Sequence, residues 1–471
     1  MKVNFSATAF WTFGNSNTKY HGDLYLNKDE GGIIVYIRVP NKGGPKSFFE
    51  LPLEIPLIKG KTINGAEICL IDCVRTSTNS RIGLEEVYGY KAKYMLEGVT
   101  FENKENVVFS KVRMCLPRII KWGNVSNYVT PDIEDRETLI GLNYLRPIEI
   151  YNCEEYTLSY ELICSYPFNL IKEEITLKQI PYLIVESNSL HSLDWFVDII
   201  IKMKRLIEIA MGSQLQFHGM IAESPEVKVE LDDGYSQIKS IEVIHALTRP
   251  SKVNDKIDNE TGIKFLFNLN ELVDKANFSE WQTNAFDLEP IIELYIDDLY
   301  NLELSASRHF LNMIQALETY HSRFICNGTL ADYKERVENI IRERPEIYKQ
   351  EDRDFLLKGS QRSISLRSRI SDLLLADYEF RFYTLDWKEK DFPEVIADTR
   401  NYYTHYNPRK KEKALKDEKL YSAYTILRNI LEYYILKELG FEEKFIHERI
   451  TERIRPLMTG HQIQKEYERQ G

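Results

Sequence analysis

No stretch of this 471-residue sequence stays apolar for the roughly twenty positions that a membrane-spanning helix requires. The most apolar helical run, LDWFVDIIIKMKRLIEIAMG over 193–212, is interrupted by Asp198, Lys202, Lys204, Arg205 and Glu208, so it reads as a buried helix of a globular protein. The N-terminus lacks the basic start and apolar core of a secretory signal, so a cytoplasmic location without a membrane partner is expected. Cysteine is scarce: Cys69, Cys73, Cys115, Cys153, Cys164 and Cys326 include no C-x-x-C pair, and Cys69 and Cys73 have no second pair or nearby histidines. That argues against zinc, and the six read as reduced thiols, mostly in the core. No metal and no other cofactor is expected.

Positive charge is also in short supply. Lys and Arg number 61 against 72 Asp and Glu, a net charge of −11 that argues against a general nucleic-acid coat while leaving room for RNA at a locally basic site. The sequence has no Walker loop, no G-x-S-x-G and no H-E-x-x-H, and its acidic residues form no convincing carboxylate pair for a glycosidase. His218, His245 and His309 stand alone and read as satisfied core or surface histidines.

What is present is an ordinary globular composition, 43% hydrophobic and 28% charged, so the chain can build a sizeable core in two or three domains. The first 190 residues read as strands. GDLYLNKD, GGIIVYIRVP, AEICLIDCVR, KAKYMLEGVTF and NVVFSKVRMCL are short runs rich in β-branched and aromatic residues, separated by turn signals such as 28–32, as in an antiparallel sheet or sandwich. A second group follows in EYTLSYELICSY, EEITLKQIPYLIVES and EVKVEL, with 122–141 as an exposed connection. From about residue 286 apolar residues recur at three-and-four spacing. Helical runs end at Asn327-Gly328, at Pro345, and at Gly440 after DEKLYSAYTILRNILEYYILKELG. The expected fold class is therefore α+β multidomain. A β-rich, sandwich-like region over 1–285, either one unit or two lobes over about 1–150 and 151–285, precedes an all-α helical bundle over 286–460.

Chemistry concentrates in DTRNYYTHYNP, residues 398–408. Pro393 fits the first turn of a helix and Pro408 forces a stop near Tyr406, which puts His405 in the last turn, where the helix dipole favours positive charge. Asn401, four residues earlier, shares its face and can orient the ring. Arg400 is five positions from His405, about 140° around the axis, so one chain places the pair poorly for a single substrate atom. Two chains across a two-fold axis could converge four such groups. The motif is followed by RKKEKALK, 409–416, with five basic residues and one acidic. The plain alternative is an amphipathic helix with a polar face, followed by a solvated charged loop.

This arrangement resembles a HEPN domain, a helical ribonuclease fold whose signature is Arg, a polar residue, three of any kind, then His; RNYYTH fits it. The ALETYH helix and the final helix ending ILKELG resemble the ApeA type of HEPN protein, and KYHGDLYL resembles a strand start of its β-rich N-terminal region. That type acts in anti-phage defence. The resemblance implies metal-independent RNA cleavage, leaving 2′,3′-cyclic phosphate and 5′-hydroxyl ends. His405 would be the general acid or base, Arg400 would stabilise the phosphorane charge and Asn401 would hold the site. Arg409, Lys410, Lys411 and Lys413 would contact the RNA backbone. Glu318 would support the site from a neighbouring helix or serve as a paired structural glutamate. The expected partners are RNA of host or phage (transfer RNA included), a phage-derived trigger sensed by the N-terminal region, and a second copy of the chain. The rival reading is a non-catalytic HEPN module that binds a nucleotide or protein, with the β region as the working part.

Overall fold

A computed structural model describes residues 4–13, 18–27, 32–40, 51–81, 85–129, 140–166, 171, 173–230, 235–245, 264–301, 303–326, 333–358, 364–374 and 391–454. The turn signal at 28–31, most of the 122–141 connection, Asn327-Gly328 and residues 455–460 lie outside the described residues. The chain divides into two compact units. The first holds residues 1–207, 215–261 and 268–273; the second holds 208–214, 262–267 and 274–471.

The first unit is built on one antiparallel ladder. Its strands are β1 (Asn4–Phe13), β2 (Tyr20–Asn27), β3 (Gly32–Pro40), β4 (Glu54–Thr62), β5 (Glu67–Arg81), β6 (Glu85–Glu97), β7 (Phe109–Cys115), the short pair β8 (Tyr128–Val129) and β9 (Gly141–Leu142), then β10 (Ile148–Asn152), β11 (Thr157–Cys164), β12 (Gln179–His191), β13 (Gly219–Glu230) and β14 (Ser236–His245). Helix α1 (Ile119–Gly123) follows β7, and α2 (Leu193–Met211) follows β12. Twelve strands run in the order β10-β11-β12-β7-β13-β14-β6-β3-β2-β1-β4-β5, and β5 pairs again with β6. That last pairing closes β6-β3-β2-β1-β4-β5 into a six-stranded barrel, leaving the other six strands as an extension. The β-rich region expected over 1–285 is thus a closed barrel with extra strands. β6 is the junction: its first half pairs with β3 and its second half with β14, while β5 runs along its other edge. The ladder crosses residue 150 without a break, because β12 pairs with β7, so the two-lobe division does not appear in the sheet.

Alternation explains the barrel wall. In β3, Ile33, Val35, Ile37 and Val39 are buried and the intervening side chains only half so, the period of a strand with one face in a core. Trp11 fills the interior with no exposed surface, and this sets a condition on β4: a Cβ at Gly60 would lie 2.2 Å from the Trp11 ring. Helix α2 buries Phe196, Ile200, Met203 and Ile207 at three-and-four spacing and keeps an Asp198–Lys202 ion pair outside. Among the described residues, no helix is long and apolar enough to cross a membrane.

The helices after the sheet are α3 (Leu269–Lys275), α4 (Phe278–Tyr300), α5 (Ala306–Tyr320), which continues as a π-helix (His321–Ile325), α6 (Tyr333–Glu343), α7 (Gln350–Lys358), α8 (Leu366–Leu373), α9 (Phe392–His405), a 3-10 turn (Pro408–Lys410), α10 (Asp417–Glu438) and α11 (Glu443–Ile454). Residue 286, taken from the periodicity as the domain boundary, lies inside α4, and the second unit's main segment starts at 274. α10 is the centre of the bundle. Leu420, Ala423, Ile426, Leu427, Ile430, Leu431, Ile435 and Leu436 bury nearly its whole circumference against α4, α5 and α11. Its buried Glu432 is held through Oε1, which accepts from Tyr295 at 2.5 Å and from Arg428 Nε at 3.0 Å, with Arg453 3.5 Å away. Gly440 ends the helix at φ 79°, a conformation that suits glycine, and a Cβ there would lie 2.9 Å from Asn277.

Candidate functional site

Helix α9 is set between two proline signals. Pro393 occupies its first turn, and the chain leaves at Tyr406, in a left-handed conformation whose backbone N–H donates a hydrogen bond to the Tyr402 carbonyl at 2.6 Å and closes the helix. Phe392, Ile396 and Thr399 face the core. The chain then doubles back along the helix it has just left. The Leu415 amide donates to Thr399 Oγ1 at 3.1 Å, and the Tyr403 hydroxyl donates to the Leu415 carbonyl at 3.0 Å. Asn407 starts the 3-10 turn by accepting from the Arg409 amide at 3.0 Å. The basic loop is therefore a pinned structure against α9.

Arg400 and His405 sit as the 140° offset between them requires, on different sides of the helix, with Asn401 in the cleft beside Arg400. Arg400 points into a cleft of about 560 Å³ between α5, α8 and α9, lined by Glu318, Ile364, Ser365, Arg367, Arg369, Glu394, Asp398, Asn401 and Lys410 among others. Its Nη2 lies 3.5 Å from Glu318 Oε2, and its Nη1 donates to Asn401 Oδ1 at 3.4 Å. The amide of Asn401 thus serves Arg400; among the described residues it makes no bond to His405, contrary to the expectation that it would orient the ring. His405 is exposed at the helix end and is not part of the cleft lining.

Glu318 is fixed by its own helix end. Its turn is the last of α5 before the π-helix, a widened geometry frequent at functional sites. Arg369 of α8, 8% exposed, donates to the Glu318 carbonyl at 3.1 Å and also bonds Ser322 Oγ. The wholly buried His321 bonds Asp372 Oδ2 through Nε2 at 2.8 Å. Two contacts thus tie α8 to the end of α5.

The four basic-loop residues separate into two kinds. Lys410 bonds the mostly buried Asp398 and lines the cleft, and Lys413 lies 4.0 Å from the same carboxylate. Arg409 and Lys411 are exposed. Each cleft cation faces an acid or an acceptor, including Arg367 with Glu394 at 3.2 Å. Arg367, Arg369, Glu394 and Asp398 carried no signal in the sequence reading, although Asp398 lies in the same short stretch; its role depends on Lys410 folding back twelve residues later. His309, read as a satisfied histidine, bonds Asp298 Oδ1 at 2.6 Å, whose Oδ2 accepts from Tyr424 at 2.7 Å. Among the described residues, no group of three or more His, Cys, Asp or Glu is arranged to hold a metal ion.

Two family profiles match the chain. ApeA N-terminal domain 1 covers residues 6–281, and Apea-like HEPN covers 311–445, a span that contains Glu318, Arg400, Asn401, His405 and the whole basic loop. No curated protein and no solved structure matches it.

Proposed function

The chain belongs to the ApeA family of HEPN proteins, and from that premise we propose that it is an endoribonuclease of anti-phage defence. The observation that carries this reading is α9 itself: a guanidinium held in an open cleft by Glu318 and Asn401, on the helix that ends in an exposed imidazole. These are the two groups that RNA transesterification needs without a metal. An imidazole removes the 2′-hydroxyl proton as the O2′–P bond forms, a guanidinium neutralises the phosphorane oxygens, and the P–O5′ bond breaks as the 5′-oxygen gains a proton. The products are a 2′,3′-cyclic phosphate and a 5′-hydroxyl.

Because Arg400 and His405 lie on different sides of the helix end, one chain supplies an incomplete set. A pair of chains joined through their HEPN domains brings two imidazoles to one scissile bond, one as base and one as acid. Arg409 and Lys411 bind the RNA backbone, while Lys410 and Lys413 neutralise Asp398. The N-terminal region senses a phage product and holds the nuclease in check.

The test is RNA cleavage by purified wild type, Arg400→Ala and His405→Ala, with excess chelator in parallel. The wild type should cut and leave ends that a kinase labels directly, with or without chelator; both variants should be folded and inactive. Full cleavage by folded His405→Ala protein ends the assignment, and loss of activity on chelation that magnesium restores points to a different site.

A further inference from the structure

The turn that closes α9 carries a residue the cleavage chemistry does not use. Tyr406 has φ 48° and ψ 37°. Among the described residues, three other non-glycine residues have positive φ, namely Asp72, Asn124 and Asp417, whose short polar side chains tolerate the left-handed region. A bulky ring there is disfavoured, and such outliers gather at functional sites. Burial offers no compensation, since Tyr406 is 68% exposed.

The ring nevertheless stands on a firm base. The Tyr406 amide is bonded to Tyr402, and the two rings meet edge-on with centroids 5.8 Å apart and planes at 66°. Tyr402 meets Tyr403 in the same manner at 5.1 Å, and the Tyr403 hydroxyl is tied to Leu415. Tyr406 follows His405 directly, and exposed Arg409 and Lys411 follow within one short turn. A fixed, solvent-facing aromatic beside exposed cations is the combination that binds single-stranded nucleic acid, with bases stacking on the ring and phosphates meeting the cations. A protein surface covering the ring would need neither cation.

We infer that Tyr406 is a base-stacking platform for single-stranded RNA, holding an unpaired nucleotide beside the phosphate presented to His405. Every base has a π-face, so the platform selects unpaired over paired RNA rather than one base over another. The inference rests on the nuclease reading for the identity of that phosphate; the stacking itself does not depend on cleavage.

The experiment uses the full chain and a 2′-O-methylated single-stranded oligonucleotide, which lacks the attacking hydroxyl and survives the titration. Tyr406→Phe and Tyr406→Trp should bind within about twofold of wild type, and Tyr406→Leu about tenfold more weakly. Tyr406→Gly removes the left-handed strain, so it should melt no lower than wild type and still bind about tenfold more weakly. Double-stranded RNA should show no such dependence on position 406. Equal affinity of wild type and folded Tyr406→Leu or Tyr406→Gly overturns the platform. A change of oligomeric mass with unchanged RNA affinity also overturns it and assigns the ring to a protein interface. If the wild type binds no RNA, the platform and the nuclease reading fall together. If the binding pattern holds but the wild type cleaves no natural RNA, the nuclease reading falls and the platform stands.

Discussion

Glu318 and Arg400 lie 82 positions apart in the chain and meet at 3.5 Å across the cleft, through one oxygen and one guanidinium nitrogen. Both side chains are close to one-third exposed, so the pair contributes little to stability, roughly 0–1 kcal/mol. Its consequence is orientation, because Asn401 holds the other terminal nitrogen. Glu318→Ala should lower kcat/KM about tenfold with little change in melting, whereas Glu318→Gln, which keeps an oxygen acceptor, should stay within about threefold. Steady-state kinetics on one RNA checks this, and equal activity of Ala and wild type removes Glu318 from the site. Arg400→Lys should not rescue, since an ammonium cannot span two acceptors in a fixed plane.

The basic loop predicts a graded response to salt. Arg409 and Lys411 are exposed, whereas Lys410 is already bonded to Asp398. Removing a cation that neutralises a phosphate reduces the salt slope of single-strand binding by about 0.7. Arg409→Ala and Lys411→Ala should each show that reduction, and Lys410→Ala clearly less. Lys410→Ala should instead destabilise the domain, because among the described residues it leaves the mostly buried Asp398 with only the 4.0 Å contact to Lys413. RNA affinity measured over a range of salt concentrations, beside melting curves, separates the two classes.

The parts of this arrangement that were legible in the sequence are those set by local chemistry. Pro393 and Pro408 bound α9 as expected, and the alternation of Ile33, Val35, Ile37 and Val39 announced a strand. The start of the helical region was misplaced because the first half of α4, FSEWQTNAFD, is polar and Pro290 interrupts its periodicity. A local signal was available there: Asn277 accepts from the Glu280 amide at 3.3 Å and its side-chain amide donates to the Glu280 carboxylate at 3.1 Å, an asparagine N-cap. Barrel closure was not legible. It depends on β5 pairing with β6 over 68–97 while β4 holds its other edge, and no single strand records how the sheet ends. The Glu318–Arg400 pair and the Lys410–Asp398 bond depend likewise on how segments return to one another.

Sharing of the site between two chains can be tested by mixing. Arg400→Ala and His405→Ala proteins are each expected to be inactive alone. A pair containing one of each retains one guanidinium and one imidazole, enough for one of the two proton transfers, so co-refolded protein should recover a small part of the activity. Ultracentrifugation should find a dimer or larger. A strictly monomeric protein with full activity would refute the shared site.

The first unit should respond to acid through His245. This residue is 7% exposed and its ring lies 4.8 Å from that of Tyr94. Burial, followed by the nearby Lys93, pushes its imidazole from the ordinary 6.5 down to about 4, with Asp194 opposing. Between those values the unfolded chain binds more protons than the folded one, so stability rises with pH there. It is complete above 6.5 and declines as pH falls towards 4, by roughly 3 kcal/mol at the limit. Trp11, Trp122 and Trp195, three of the chain's five tryptophans, report on this unit. Urea unfolding followed by tryptophan fluorescence between pH 4 and 7 should show the decline, and His245→Phe should flatten it.

The barrel also allows the proposed sensing role to be tested without truncating the chain. Trp11 occupies the space a side chain at Gly60 would need, so Gly60→Ala forces the ring or the strand to move, costing about 1–3 kcal/mol. Neither residue belongs to the helical unit, whose cleft and proposed cleavage residues lie in 274–471. If the N-terminal region both senses infection and restrains the nuclease, Gly60→Ala should uncouple the two. Cells carrying it should lose infection-dependent protection, while the purified protein still cleaves RNA in a His405-dependent manner. Plaque counts beside an RNA cleavage assay read the two effects separately. A Gly60→Ala protein with a measurably weakened barrel that still protects cells as wild type does, and only upon infection, would remove the sensor from this unit.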